Sequence, residues 1–408
     1  MQQGNTVFFK NMPRIVATAT VAGPKECAGI VGDYVDFSLD DDMFGESTFE
    51  RAERKMLLAA LRRSIEKAEK KREEIDVIVS GDLLNQIISA GFAARETGLP
   101  FLGIYSACST MSEGLLLAGM LCDGGYAKTA VAATGSHFSS AERQYRYPLE
   151  LGTTRPPQSQ WTVTGAGSAV VSALGAGPAL TCGTVGRVVD YGVSDVNNMG
   201  AAMAPAAADT ILAHLRDTGR DPSYYDLILT GDLGALGSRI CKDLVWEKGA
   251  DMFDNHVDCG EIVYKVIEDE FQGGSGAGCS AVVLGSYIFD KLRRGGLDRV
   301  LFVATGALLS TVSSGQGETI PCIAHAVAIE TGRGRAGKAG NSAQKEGAPG
   351  KKAGGGRPSS GGNGAENRPT YAKNAAVRPA GTRRTGGAKG RKSAARQAGE
   401  NGPAQEDA

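Results

Sequence analysis

Asp76-Val-Ile-Val-Ser-Gly-Asp-Leu83 recurs as Asp226-Leu-Ile-Leu-Thr-Gly-Asp-Leu233, 150 residues later. Each copy is a short apolar run ending on Gly-Asp-Leu, the pattern of a buried strand that turns at its end. Two further echoes follow in the same order. Ala107-Cys108-Ser109 is answered by Gly278-Cys279-Ser280, and Ala133-Thr134-Gly135 by Ala304-Thr305-Gly306, both at an offset of 171. The change from 150 to 171 places 21 additional residues between Leu233 and Cys279, a stretch holding Trp246, Asp251, Asp254, His256 and Asp258. A period this long marks a duplicated domain and not a solenoid. Each half reads as helix, strand, loop, Cys-Ser, helix, strand, so the class is α/β. The expected organisation is two pseudo-symmetric α/β halves, 1–180 and 181–332, packed as pseudo-twofold copies.

Local signals fill in the first half. Ser47-Thr48-Phe49-Glu50 has the form of a capping box. It opens a helix with Leu57, Leu61, Ile65 and Ala68 on one face and Arg54, Arg62, Glu66, Glu69 and Lys70 on the other. Phe101-Leu-Gly-Ile-Tyr105 reads as a strand, Ser106-Ala107 as a tight turn, and Cys108 as the start of a helix over 109–121 that Gly124-Gly125 ends.

Residues 333–408 differ from all of this. They hold 16 Lys+Arg, 5 Asp+Glu and 17 Gly, with no Leu, Ile, Phe, Trp or Met. The other 332 residues hold 28 basic and 40 acidic side chains, so the overall net charge of −1 conceals an acidic body and a basic tail. Such a tail cannot bury enough apolar surface to offset chain entropy and is expected to be disordered. It reads as a solubilising extension or as a polybasic arm for anionic lipid or nucleic acid. Tyr371 is its single aromatic. A base-stacking platform is therefore not supported, and a nucleic-acid partner is not expected.

Several classes are excluded. No apolar run approaches the roughly 18 residues that span a bilayer, and 115–122 is among the longest. The first residues lack the charged-then-apolar order of a secretory signal. The eight Cys, at 27, 108, 122, 182, 241, 259, 279 and 322, form no CxxC pair, which points to free thiols and no structural zinc.

Cys108 is the candidate nucleophile. A Cys at a helix start feels the positive end of the helix dipole, which favours thiolate. Cys279 is its pseudo-symmetric counterpart and reads as structural. A base and an oxyanion stabiliser would be needed beside Cys108. Of the four His, His214 reads as solvated on the polar side of a helix over 208–216, and His256 falls in the inserted stretch. His137 follows Ala133-Thr134-Gly135 and is expected on the same rim as Cys108. His325 stands just before a final apolar strand. For both, a site role and a structural role stay open.

The strand–turn–Cys–helix arrangement resembles the nucleophile elbow of thiolases and ketoacyl synthases, as does the duplicated layout. Ketoacyl synthases of the initiating type carry a His at the end of the first strand of the second half and an Asn in the following Gly-rich loop. Here those stretches read Leu229-Thr-Gly-Asp232-Leu and Gly274-Ser-Gly-Ala-Gly-Cys279, with neither His nor Asn. Asp232, ionised by default, would repel a thiolate or carbanion, so a Claisen condensation is poorly supported. An acyltransferase or condensing-type enzyme using Cys108 remains the alternative reading.

More specific motifs run through residues 10–330. They are Ala22-Gly-Pro-Lys-Glu26, Gly81-Asp-Leu-Leu-Asn-Gln86, Ala107-Cys-Ser-Thr110 and Ala141-Glu-Arg-Gln-Tyr-Arg-Tyr-Pro148, followed by Ser194-Asp195, Ala202-Met-Ala-Pro-Ala-Ala-Ala-Asp-Thr210, Asp258-Cys-Gly260 and Ile320-Pro-Cys-Ile-Ala-His325. Together they resemble the stage V sporulation protein AD family. The resemblance implies a thiolase-like fold, layered αβαβα. It implies non-catalytic binding of dipicolinic acid during its uptake into the developing endospore. It also implies a peripheral position at the spore inner membrane, beside membrane-embedded proteins of the stage V sporulation A system, and a homodimer. The basic tail departs from the family pattern.

A planar dianion needs an apolar slot and donors for two carboxylates. The slot is expected over Cys108. Backbone N–H groups at the Cys108 helix start and in the 273–278 loop, including Gly276, are candidate donors, with His137 and His325. Arg143 and Arg146 are candidate cationic partners, and equally read as surface ion pairs. Asp82, Asp232 and Asp258 oppose a bare dianion and suit one accompanied by calcium. No other cofactor or metal is expected.

Overall fold

The structure, a computed structural model, describes residues 2–145, 152, 154–264 and 272–333. The basic tail beyond Arg333, and the candidate Arg146, lie outside the described residues.

Among the described residues, ten strands form the main path of one continuous 13-stranded sheet. The first half contributes β1 (Arg14–Ala22), β2 (Val77–Gly81), β3 (Phe101–Gly103), β4 (Thr129–Ser136) and β5 (Gly165–Ser172). The second contributes β6 (Ala179–Thr184), β7 (Leu227–Thr230), β8 (His256–Asp258), β9 (Arg299–Ala307) and β10 (Cys322–Glu330). The order is β3-β2-β4-β5-β1 and then β6-β10-β9-β7-β8. Counted within each half, both read third, second, fourth, fifth, first. In each half the first three of these strands run parallel and the fifth runs antiparallel to its neighbours. The halves join where Arg14 pairs with Ala179.

Matching hydrogen bonds repeat the likeness. The Asp76 carboxylate accepts from the N–H groups of Lys128 and Thr129 (2.6 and 2.9 Å), and Asp226 from those of Asp298 and Arg299 (2.8 and 3.0 Å). The additional 21 residues are unevenly spread. Five fall between Leu233 and β8, and sixteen between β8 and Cys279, where the short helix Cys259–Val263 forms.

Three apolar interfaces stack the helices on these strands. Helices α1 (Phe49–Lys67) and α2 (Ile88–Thr97) cover one side of the first half, with Met56, Leu57 and Leu61 packed on Ile78, Val131 and Val170. Helices α3 (Thr110–Asp123) and α4 (Ala277–Val283) fill the middle, with Met111, Leu115, Val282 and Val283 against Ala132, Phe302 and Val327. Helices α5 (Met199–Thr218) and α6 (Gly234–Glu247) cover the far side, with Met203, Ile211 and Cys241 against Ile228, Leu301 and Val303. The result is αβαβα layering. All eight residues of β4 are buried, which explains an almost unbroken run of small apolar and hydroxyl residues. Each fully buried Leu or Met contributes about 2 kcal/mol of apolar burial.

Some local expectations change. Thr48, not Ser47, caps α1, its Oγ1 accepting from Arg51 N at 3.3 Å, so no Ser47–Glu50 box forms. Glu50 instead pairs with Arg143. The α5 helix starts at Met199, nine residues before 208, and runs through Pro205. His214 on it is fully buried and not solvated. Its ring lies between Thr184 Oγ1 (2.7 Å) and Tyr225 Oη (2.6 Å), and burial pushes its pKa down to about 3. His325 lies within β10, not ahead of it. The 180/181 boundary falls inside β6, and the N-terminal strand Thr6–Phe8 pairs with β6 of the second half. Among the described residues, no helix is long and apolar enough to cross a membrane.

Candidate functional site

The turn after β3 sets Cys108. Ala107 adopts φ 51, the left-handed region that a residue with Cβ enters only under strain. Residues Ala107–Ser109 form one 3-10 turn, and α3 starts at Thr110 instead of Ser109. Hydroxyls hold the turn: Thr110 Oγ1 donates to Ala107 O at 2.6 Å and Ser109 Oγ to Ser106 O at 2.9 Å. The second half presses directly on it. A Cβ on Gly306, near the end of β9, would lie 2.1 Å from Ser106 O. Cys108 therefore stands at the seam of the two halves, half-buried.

Asp232 reaches the same point from the end of β7. Its carboxylate is fully buried and hydrogen-bonded to the Cys108 thiol. Thr305 Oγ1 donates to it at 2.9 Å, Gly276 N at 3.0 Å and Ser275 Oγ at 3.3 Å. Burial pushes its pKa up to about 6, against the lowering effect of the Cys108, Gly276, Thr305 and Ser275 bonds. Gly276 has φ 96, and a Cβ there would sit 2.9 Å from Ser136 Oγ, so the backbone can approach closely only as glycine.

A small cavity of about 50 Å³, opening to solvent, lies over Cys108. Leu83, Ala141, Met199, Met203, Ala307 and Leu309 supply apolar walls. Cys108, Glu142, Thr162, Ser275 and Gly276 supply the polar lining, and the hydrogen-bonded pair Tyr105 and Tyr145 completes it. Glu142 is fully buried, accepting from Thr162 Oγ1 at 2.8 Å with Arg155 Nη1 at 3.3 Å. The Arg155 guanidinium is itself stacked near Phe138 and Trp161. Among the described lining residues there is no Lys, Arg or His.

Of the residues read from sequence, Cys108, Asp232 and Gly276 come together. The others stand elsewhere. Asp82 is buried and accepts from Leu84 N (2.8 Å) and Ala90 N (2.7 Å) at the start of α2. His137 is fully buried, its Nε2 2.8 Å from Asp42 O while Nδ1 accepts from Ser139 N, and burial lowers its pKa. His325 Nδ1 accepts from Gly186 N at 3.3 Å, and burial lowers its pKa to about 4. Arg143 lies over Phe49, paired with Glu50 on the outer side of the helix Phe138–Tyr145. Asp258 serves the loop after β7, accepting from Leu233 N, Gly234 N and Gly260 N, each at 2.9 Å. Among the described residues no three His, Cys, Asp or Glu side chains converge as a metal cage.

Glu142 escaped the sequence reading, although helical spacing places Ala141, Glu142 and Tyr145 on one face and Arg143 on another. The Met199 and Met203 walls escaped it because α5 starts a turn and more before the periodic segment.

Comparison with known proteins supplies the family. The sequence profile of the family described as Stage V sporulation protein AD matches residues 3–330, stopping before the basic tail. Stage V sporulation protein AD of Bacillus subtilis (strain 168) is 45% identical over 329 residues, 81% of this chain and 97% of that protein. Among solved structures, a Glu-to-Asp variant of Xanthomonas campestris OleA superposes with a TM-score of 0.53 at 15% identity, over 81% of this chain and 99% of that one. A Cys-to-Ala variant of the same OleA gives 0.52 at 14%, over 79% and 98%. These likenesses establish a thiolase-like fold, and the chain belongs to the stage V sporulation protein AD family, whose members are sporulation proteins.

Proposed function

We propose that the chain is a non-catalytic binding protein for dipicolinic acid, pyridine-2,6-dicarboxylate, serving its uptake into the developing endospore. One observation carries the non-catalytic part. The Cys108 thiol is bonded to a buried carboxylate where a condensing enzyme of similar fold sets an imidazole. A nucleophilic thiolate is favoured by a neighbouring cation and opposed by an anion. Asp232 and Ser275 thus suit a receptor better than a condensing centre. Family membership and the cavity support the ligand. Apolar walls accept a planar ring, and the same lining carries the Thr162 and Ser275 hydroxyls, which donate to Glu142 and Asp232. Of the two buried acids beside Cys108, Glu142 is paired with Arg155, and the raised pKa of Asp232 lets it neutralise by taking up a proton.

In this reading the protein is a homodimer, peripheral at the spore inner membrane. Its partners are membrane-embedded proteins of the stage V sporulation A system. Calcium, if it enters, arrives with the ligand. Asp82 and Asp258 have oxygens engaged with backbone N–H groups, so the acids beside the slot are Glu142, which lines it and pairs with Arg155, and Asp232, bonded to Cys108.

The alternative is acyl transfer through Cys108. It is favoured by the strained turn and by a carboxylate near pKa 6 that could accept the thiol proton. Incubation with acyl-CoA of several chain lengths, followed by intact mass, separates the two. An unmodified mass supports the binder. An acyl adduct lost in Cys108→Ala supports the enzyme.

A further inference from the structure

We infer that the end of the sheet remote from Cys108 is a docking face for an anionic lipid bilayer. This rests on the membrane-peripheral reading above and names the face it would use. Thr129, at the start of β4, pairs with Ser172 at the close of β5, which pairs in turn with Arg14 at the start of β1. The Cys108 cavity lies at the other end of these strands, where Gly276 packs on Ser136.

Two apolar side chains protrude from the remote end. Tyr126 is 85% exposed and Leu174 84%, the highest values for large apolar residues in the described chain. They flank a single backbone bond, Ala173 N to Lys128 O at 2.9 Å, so Tyr126, Lys128 and Leu174 share one corner. An adjacent groove is lined by Arg14, Lys67, Arg293 and Arg333, with no carboxylate in its lining. Arg14 donates to Gly177 O and Arg333 to Arg293 O, while Lys67 pairs with Asp36. Nearby acids are engaged: Asp76 by Lys128 N and Thr129 N, Asp123 by Asn11 N, Asp36 by Lys67 and Asp298 by the Thr331 hydroxyl. From Arg333 the chain continues into 75 residues with 15 Lys+Arg and 5 Asp+Glu.

Protruding aromatic and aliphatic tips beside several cations match the headgroup layer of an anionic membrane. Each cation near such a surface contributes about 1 kcal/mol. A nucleic acid fits less well, because Leu174 offers nothing to phosphodiesters and single-strand platforms need stacked aromatic faces.

The test is sedimentation of the full chain with phosphatidylcholine vesicles, with and without phosphatidylglycerol, at low salt. Three variants accompany it: Tyr126→Ser with Leu174→Ser, Lys128→Glu with Arg293→Glu, and Arg51→Glu at the opposite end of the molecule. Wild type should sediment with the anionic vesicles. Both double variants should lose at least fivefold in bound fraction, and Arg51→Glu should stay within twofold of wild type. Double variants that sediment like wild type would overturn the face while leaving the membrane reading intact. A wild type that ignores anionic vesicles would sink both. Loss of duplex-DNA retention in the double variants, with vesicle binding unchanged, would assign the face to nucleic acid instead. All variants should bind dipicolinate as wild type does, so the ligand reading is judged separately.

Discussion

Asp232 occupies in the second half the position that Asp82 occupies in the first, and the two carboxylates face different groups. Asp82 accepts from Leu84 N, two residues on. The equivalent N–H in the second half is Gly234, and it donates to Asp258 instead. Asp258 thus takes over the loop-holding task and leaves Asp232 to the Cys108 thiol. A one-residue slip assists this. Val77 pairs with Ala130 and Leu227 with Val300, offsets of 150 and 170, so the Ala-Thr-Gly motif stands one residue further along in β9. Thr134 Oγ1 donates to Gly81 O, whereas Thr305 Oγ1 reaches Asp232.

Asp232 should make ligand binding pH-dependent. A dicarboxylate stays ionised above pH 6 because carboxylates titrate near 4. Asp232, raised to about 6 by burial, repels it when ionised. Apparent affinity for dipicolinate should rise at least tenfold as pH falls from 8 to 6. Asp232→Asn should bind more tightly at pH 8 and lose most of that slope. Titrations at four pH values in both proteins check this, and an equal slope in the variant would assign the effect elsewhere.

Cys108 should act as a wall and not as a reagent. Cys108→Ala should keep dipicolinate binding within about fivefold, since trimming one sulfur from an apolar wall costs about 1 kcal/mol. Cys108→Phe should abolish it by filling the slot. Equal loss in both would indicate an essential thiol.

Glu26 should couple folding to pH. It is buried, accepts from Thr164 N (2.9 Å) and Tyr264 Oη, and its pKa is pushed up to about 7, mainly by burial. The folded state therefore keeps a proton that the unfolded chain releases near 4.5. Its contribution is full below pH 4.5, declines as pH rises to about 7, and is flat beyond. Glu26→Gln keeps an acceptor for both donors and cannot ionise. It should flatten the stability curve between pH 5 and 7.5 and add about 1–3 kcal/mol at the upper end. Denaturant unfolding across that range measures it, and parallel curves would refute it.

Asp258→Ala should cost about 3 kcal/mol or more, because the buried N–H groups of Leu233, Gly234 and Gly260 and the Thr230 hydroxyl lose their acceptor. A midpoint shift under 1 kcal/mol in urea unfolding would show that water replaces the carboxylate.

The repeat made the strand-and-turn plan legible, because Gly-Asp-Leu and the Cys turns are local patterns set by backbone geometry. What each copy does was not legible. Val-Ser-Gly-Asp-Leu and Leu-Thr-Gly-Asp-Leu are near-identical locally, and Asp258, 26 residues away, distinguishes them. Buried polar residues were hidden for the same reason. Glu53, inside α1, is matched by Ser140 Oγ at 2.6 Å from a helix 87 residues on, and His214 by Thr184 across the sheet. Their partners come from tertiary packing, so charge and periodicity along one helix do not reveal them, and they place His214 on a solvated side. Charge also drew attention to Arg143 when its neighbour Glu142 is the residue in the cavity wall.

The most direct test is calorimetric titration of dipicolinate into the full chain at pH 6, with and without calcium. The account predicts saturable heat at one ligand per chain, abolished by Cys108→Phe, with no acyl adduct on Cys108 in a parallel acyl-CoA incubation. Absence of heat under both conditions, together with a covalent adduct on Cys108, would contradict it.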